Sequence, residues 1–163
     1  MSSETIVTAI FLITAVVAAG ILTSQVFPAI YSMSGSVSSS TRAAEQTLKT
    51  NIAIVNTFSL NGTGEARVWL KNTGSYRVQL SDLNMSSIFV GNPGNIGPVT
   101  FNDPAEGWSY TILGSQSNGY WDPMETLEIT AISARIPTDR SSTVSFQIVL
   151  PDGTKRSEEF TVS

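Results

Sequence analysis

The chain has 163 residues, a net charge of −4 and only 13% charged residues. That balance excludes a nucleic-acid partner, which needs a basic footprint. The sequence holds no cysteine and no histidine, so disulfide frameworks, thiolate zinc sites, His-based catalytic triads and His metal sites are ruled out.

The first element is the most informative. Between Glu4 and Arg42 there is no charged side chain, and from Ile6 to Tyr31 the sequence is almost continuously apolar. Roughly 26 residues span about 39 Å as a helix, more than the bilayer's hydrocarbon thickness of about 30 Å. Ile6, Ile10, Leu12, Val16, Leu22 and Phe27 are the side chains that lipid or a filament core would cover. A secretory signal would carry a basic start and a shorter apolar run, and MSSET has no Lys or Arg. A buried helix of a soluble protein would show a wider polar stripe. Residues 1–31 are therefore read as a membrane or filament-core helix.

Glu4 fits the first turn of such a helix, where a carboxylate favours the positive end of the dipole. It could also pair with the N-terminal amine of a neighbouring helix. The Ala15–Ala19 spacing would let helices approach closely, which makes self-association through Glu4, Ala15 and Ala19 an expectation. Charge does not settle orientation: Arg42 and Lys49 follow the helix, yet long domains translocate largely regardless of charge.

Residues 32–50 are Ser-rich, with Met33, Val37, Ala44 and Leu48 at helical spacing. They read as a frayed or bent helical stalk, with a kink expected at Pro28.

From Asn51 the period becomes two. Strands are expected at 52–60, 65–72, 76–80, 87–90, 108–113, 124–131, 143–150 and 158–162. Ala66, Val68 and Leu70 alternate with Arg67, Trp69 and Lys71, and comparable apolar rows run through Leu127, Ile129 and Ala131 and through Val144, Phe146 and Ile148. One-sided burial of this kind suits an antiparallel sheet. Residues 51–163 are thus expected to form an all-β, immunoglobulin-like antiparallel β-sandwich. Residues 91–107 and 114–122 read as irregular loops, the second carrying Tyr120 and Trp121 either as a partner-contact tip or as residues folded back to close the sandwich.

No catalytic constellation, phosphate-binding loop or dinucleotide motif is present. Asp103 with Glu106 and Asp122 with Glu125 could offer oxygens to calcium, but solvated turn residues describe them better. No cofactor or metal is expected, and no enzymatic activity. Two sequons, at Asn61 and Asn84, permit N-glycosylation if the β-domain lies outside the membrane.

The Ser-Glu-Thr start, the TAIFLI core at 8–13, the FPAIY exit at 27–31 and the Ser-rich run before Arg42 resemble the FlaG family of archaeal flagellar (archaellum) accessory proteins. The VWLKNTGS, WDPMETLEI and VLPDGTKRSEEFTV stretches resemble patterns shared by archaellins, pilins and their accessory proteins. Archaellins proper usually carry a short basic pre-sequence, which MSSET lacks. The resemblance implies a non-catalytic stator component. Its helix would sit in the cytoplasmic membrane and its β-sandwich outside, in the pseudo-periplasm. Its partners would be a FlaF-like accessory protein, the S-layer, the archaellum filament, membrane lipid and copies of itself. Two alternatives stand beside it: an archaellin- or pilin-like filament subunit, and a membrane-tethered ligand-binding module.

Overall fold

A computed structural model describes residues 3–114 and 118–163. The chain forms two compact units, one ending at Ala44 and one running from Glu45 to Ser163.

The first unit is helical. Helix α1 runs from Ser3 to Lys49, through Pro28 and through the Ser-rich stretch, and it buries none of its residues. The Ser-rich segment, expected as a frayed or bent helical stalk, is helical to Lys49. The hydroxyls of Thr8, Thr14, Thr23, Ser24, Ser36, Ser39 and Thr41 each donate to a carbonyl three or four residues earlier. These polar side chains are satisfied within the helix. The same economy lets a helix carry hydroxyls through an apolar medium.

The second unit is a β-sandwich. Its strands are β1 (Ile52–Ser59), β2 (Glu65–Asn72), β3 (Val78–Gln79), β4 (Ser87–Asn92), β5 (Asn95–Phe101), β6 (Gly107–Leu113), β7 (Tyr120–Trp121), β8 (Thr126–Ile132), β9 (Thr143–Val149) and β10 (Lys155–Thr161), with a short helix α2 (Leu80–Asn84) after β3. The large sheet has the order β1-β2-β8-β6-β5-β4-β9-β10, and β3 pairs with β7 separately. All pairings are antiparallel except β5 with β6, which meet in parallel only at Thr100↔Gly107 and Phe101↔Trp108. That brief bridge joins a β1-β2-β8-β6 layer to a β5-β4-β9-β10 layer.

The alternation predicted from sequence fills the space between the layers. Val68, Leu70, Leu127, Ile129, Val144 and Ile148 are fully buried. Each such side chain is worth roughly 1.5–3 kcal/mol of burial. In register, Val68 lies opposite Ile129 and Leu70 opposite Leu127, so the apolar rows stack across neighbouring strands.

Three local expectations are corrected. The irregular loop expected over 91–107 contains strand β5. Gly97 and Pro98 argue against a strand in sequence, but β5 is paired along its length only with β4, and β6 reaches it only at its end. An otherwise free edge tolerates the missing proline donor. The strand expected over 76–80 shrinks to Val78–Gln79 and gives way to α2. Tyr120 and Trp121, read as loop, form β7 against Val78 and Gln79. Positions 115–117 of that second expected loop lie outside the described residues.

Candidate functional site

Among the described residues the candidate functional features are surfaces and joints. The first is α1 itself. Phe11, Val16 and Leu22 are 73%, 72% and 65% exposed, and Ile6, Ile10, Leu12 and Phe27 are exposed too. By length and composition the helix could cross a membrane. Glu4 lies in its first turn and is exposed. Ala15 and Ala19 are exposed, and the Ala19 carbonyl accepts from the Thr23 hydroxyl at 2.8 Å.

The second feature is the joint where the chain enters the sandwich. The amides of Thr73 and Gly74 donate to the Asn51 carbonyl, both at 2.9 Å, and those of Ser75 and Tyr76 donate to the Lys49 carbonyl at 3.0 and 3.3 Å. Thr47 Oγ1 donates to the Asp152 carbonyl at 3.1 Å. From the far end of the sheet, Arg156 reaches back: Nε donates to the Ile52 carbonyl at 2.7 Å and Nη2 to Asn51 Oδ1. Gly74 is required here, because a Cβ would stand 2.2 Å from the Lys49 carbonyl oxygen.

Asn72 holds this joint from beneath. It is fully buried; its Nδ2 donates to the carbonyls of Tyr76 and Trp121, and its Oδ1 accepts from the Gly74 amide. Its backbone N–H donates to Glu125, and its carbonyl accepts from Met124 at 2.7 Å. In sequence, Asn72-Thr73-Gly74 carries turn chemistry between two strands. The signal for more was there, since Asn is the residue whose side chain bonds the backbone two positions on. The Arg156 contacts span 104 and 105 positions of sequence and left no local signal.

Trp121 is fully buried, its indole N–H bonded to the Glu125 carbonyl at 3.1 Å. It closes the sandwich and leaves the candidate contact surface. Tyr120 is half-buried beneath the Arg77 guanidinium, 4.3 Å from the ring centroid. Arg77 is held in turn by Asp122 at 2.8 Å.

The acidic pairs are occupied within the chain. Asp103 Oδ1 accepts from the amides of Ala105 and Glu106, and those bonds, Ala105's first, lower its pKa from the usual carboxylate value. Glu106 pairs with Arg135 at 3.1 Å. Asp122 faces Arg77, and a Glu125 carboxylate oxygen accepts from the Asp122 amide. Neither pair is brought together as two free carboxylates facing one site.

The sheet's two terminal strands are guarded. β1 carries an irregularity between Ile54 and Asn56, and β10 is lined by exposed Lys155, Arg156, Glu158 and Glu159. Bulges and edge charges of this kind blunt pairing with another chain.

This arrangement, an uncovered apolar helix followed by a β-sandwich, coincides with a known family. The archaeal-type flagellin model matches residues 2–160. The chain belongs to the archaeal-type flagellin family. Its members are structural, non-enzymatic proteins. An uncharacterized protein of Archaeoglobus fulgidus is 30% identical over 134 residues, covering 79% of this chain and 80% of that protein. Among solved structures, the archaellum periplasmic stator protein FlaG from Sulfolobus acidocaldarius is 20% identical with a TM-score of 0.57, covering 68% of this chain and 99% of that one. A chain of the FlaF and FlaG stator complex from the same organism has a TM-score of 0.54 at 22% identity, covering 67% of this chain and 87% of that one. The archaeal flagellum of Methanospirillum hungatei strain JF1 has a TM-score of 0.72 at 14% identity, covering 97% and 93%. These archaeal-type flagellin likenesses establish the fold: long apolar helix, then a mostly antiparallel sandwich.

Proposed function

We propose that this protein is a stator-type structural component of an archaellum. Its helix is held in the cytoplasmic membrane. Its β-sandwich stands outside, engaging a FlaF-like accessory protein, and through it the S-layer, beside the filament. The observation that carries the reading is the joint at Lys49–Ile52. A chain that must pass load between an anchor and a rigid domain needs its entry point tied to several segments; here residues 73–76 and Arg156 bind it, and Asp152 holds Thr47 just before it. Support also comes from the sandwich's likeness to FlaG over 99% of that chain. The test is a clean deletion. Swimming is lost while archaellin is still made, and plasmid-borne protein restores it; normal motility in the deletion strain would sink the proposal.

A second reading is favoured by a specific observation: the likeness to the Methanospirillum filament runs over 97% of this chain, helix included. In that case the exposed face of α1 packs against other copies and not lipid. Purified surface filaments separate the two. A stator component stays with the membrane fraction, whereas a filament subunit is a major band of the filament itself.

A further inference from the structure

We propose that the outer face of the β5-β4-β9-β10 layer carries a docking trough for an extended, basic segment of a partner protein. The inference concerns the β unit by itself and holds under either reading above. Alternation decides which side chains stand on that face. Ile88, Val90, Val144, Phe146 and Ile148 point into the core and are buried, so their neighbours along the strands point out. In register, Ile96 lies opposite Gly91, Gly91 opposite Ser145, and Ser145 opposite Glu159. One row thus crosses four strands, with a large apolar residue at one end, a carboxylate at the other and two small residues between. Ile96 is 45% exposed, and Glu159 is exposed too. Pro93 and Gly94 wall the row on one side and Gln147 and Ser157 flank it on the other, enclosing a trough of about 580 Å³.

The trough is fixed by the backbone. A Cβ on Gly91 would stand 2.3 Å from the Asn95 carbonyl oxygen, so no side chain can fill the gap in the row. Pro93 and Gly94 take the two central places of the β4–β5 turn, with Gly94 at φ +88°, the pairing a type II turn favours. The Asn92 amide donates to the Arg135 carbonyl at 3.1 Å, and Arg135 Nη1 is held by Glu106, also at 3.1 Å. The wall is therefore braced before any partner arrives, which reduces the ordering cost of binding.

The unsatisfied polar groups define the occupant. Glu158 and Glu159 have no ion pair among the described residues; Glu159 accepts from the Ser145 hydroxyl at 3.1 Å. The Gln147 amide has no partner among the described residues, so it can both donate to and accept from a bound backbone. The acidic end of the row attracts Lys or Arg. From Ile96 to Glu159 is three strand spacings, about 14 Å, which an extended chain covers in about four residues. Residues i, i+2 and i+4 of such a chain share one face. The trough therefore selects an apolar residue at i, a small one at i+2 over Gly91 and Ser145, and a basic one at i+4.

Other occupants fit less well. A sugar ring favours an open aromatic face, and Phe146, the aromatic residue in the lining, is 1% exposed. A second copy lacks the segment. Arg42 lies in α1, and Lys71 lies in a strand paired on both sides. Arg140 has buried Ile136 and Val144 four positions to either side, and Lys155 follows the turn at 151–153.

The test uses isotope-labelled full-length protein in detergent micelles. Backbone amide shifts are read by NMR against the acetylated and amidated pentapeptide Leu-Thr-Ala-Thr-Arg. Saturable shifts are expected at Gly91, Gly94, Ser145, Gln147 and Glu159, with a dissociation constant on the order of 1 mM. Glu159→Gln keeps an acceptor for Ser145 and removes only the charge; it weakens binding about fivefold, and the same spectrum reports that the fold is intact. Two control peptides, Leu-Thr-Ala-Thr-Glu and Leu-Thr-Leu-Thr-Arg, bind more weakly than the first. Equal binding of either control, an unchanged constant in Glu159→Gln, or the absence of saturable shifts at these residues overturns the proposal. So does the same pattern of shifts arising without peptide as the protein is concentrated, which would put a second copy in the trough, or arising with maltohexaose in place of the peptide, which would make it a glycan site.

Discussion

At the scale of single residues, Asn72 bears the most. It uses one side chain to bind three backbone groups in a buried place. Replacing it with aspartate keeps the acceptor for Gly74 but sets a carboxylate oxygen against the carbonyls of Tyr76 and Trp121. Asn72→Asp is expected to cost about 2–4 kcal/mol, read as a lowered denaturant midpoint, whereas Thr73→Ser changes little. Asp103 works through charge. Its folded pKa is depressed by the Ala105 and Glu106 amides. The stability it contributes is therefore present above the carboxylate's unfolded pKa and is lost as pH falls through the lower, folded value. Asp103→Asn should flatten the acid limb of a melting-temperature profile taken downward from pH 6 by lowering stability at neutral pH, with the two proteins converging below the folded value. Asp103's role left no signal in the sequence, and Asn72's left only the general tendency of Asn to bond the backbone two positions on. An Asn before Thr-Gly and an Asp before Pro look like ordinary turn residues until their distant or backbone partners are in place.

At the scale of elements, legibility tracked periodicity. The strands β2, β6, β8 and β9 followed from their repeats within a residue or two, and the apolar repeat marked the first part of a helix that continues to Lys49. What failed were elements defined by context: β5, whose Gly97 and Pro98 are tolerated only because one edge is nearly free; β7, two residues long; and α2, a single turn. For Trp121 the sequence left two readings, since aromatic residues between polar ones look alike whether they face out or close a core, and its burial selects the second. The helix also permits a quantitative expectation. A charge midway along an apolar span costs about 2.5–3.5 kcal/mol of insertion free energy. Val16→Arg should shift the protein from the membrane pellet toward the carbonate-extractable fraction, and Val16→Leu should not.

At the scale of the whole molecule, the two units have different needs. The β unit from Glu45 to Ser163 has its own core and its own closure, so it meets the criteria for independent folding. Residues 45–163 alone are expected to purify as a soluble protein with a single cooperative melt, while the full chain requires detergent. Aggregation of the shortened chain in the absence of detergent would show that the helical unit contributes to the fold and not only to anchoring. The partner surface was least legible of all. Composition indicated an uncharged helix and a β-domain, but which sheet margins are open depends on the β1 irregularity and the β10 charges, and both are products of register.

The joint at Lys49–Ile52 has a consequence for how the domain would fail under tension. A strand held only by its neighbour in the sheet can peel away one hydrogen bond at a time, each rupture weakening the next. Here the first residues of the domain are fastened to the 73–76 turn and, far along the chain, to the turn at Asp152 and the Arg156 guanidinium that follows it. Load arriving there is divided before it reaches β1. In a single-molecule pulling experiment, Arg156→Ala should lower the rupture force more than its modest equilibrium cost of about 1 kcal/mol suggests, because it removes a parallel attachment and leaves the rest of the fold as it was.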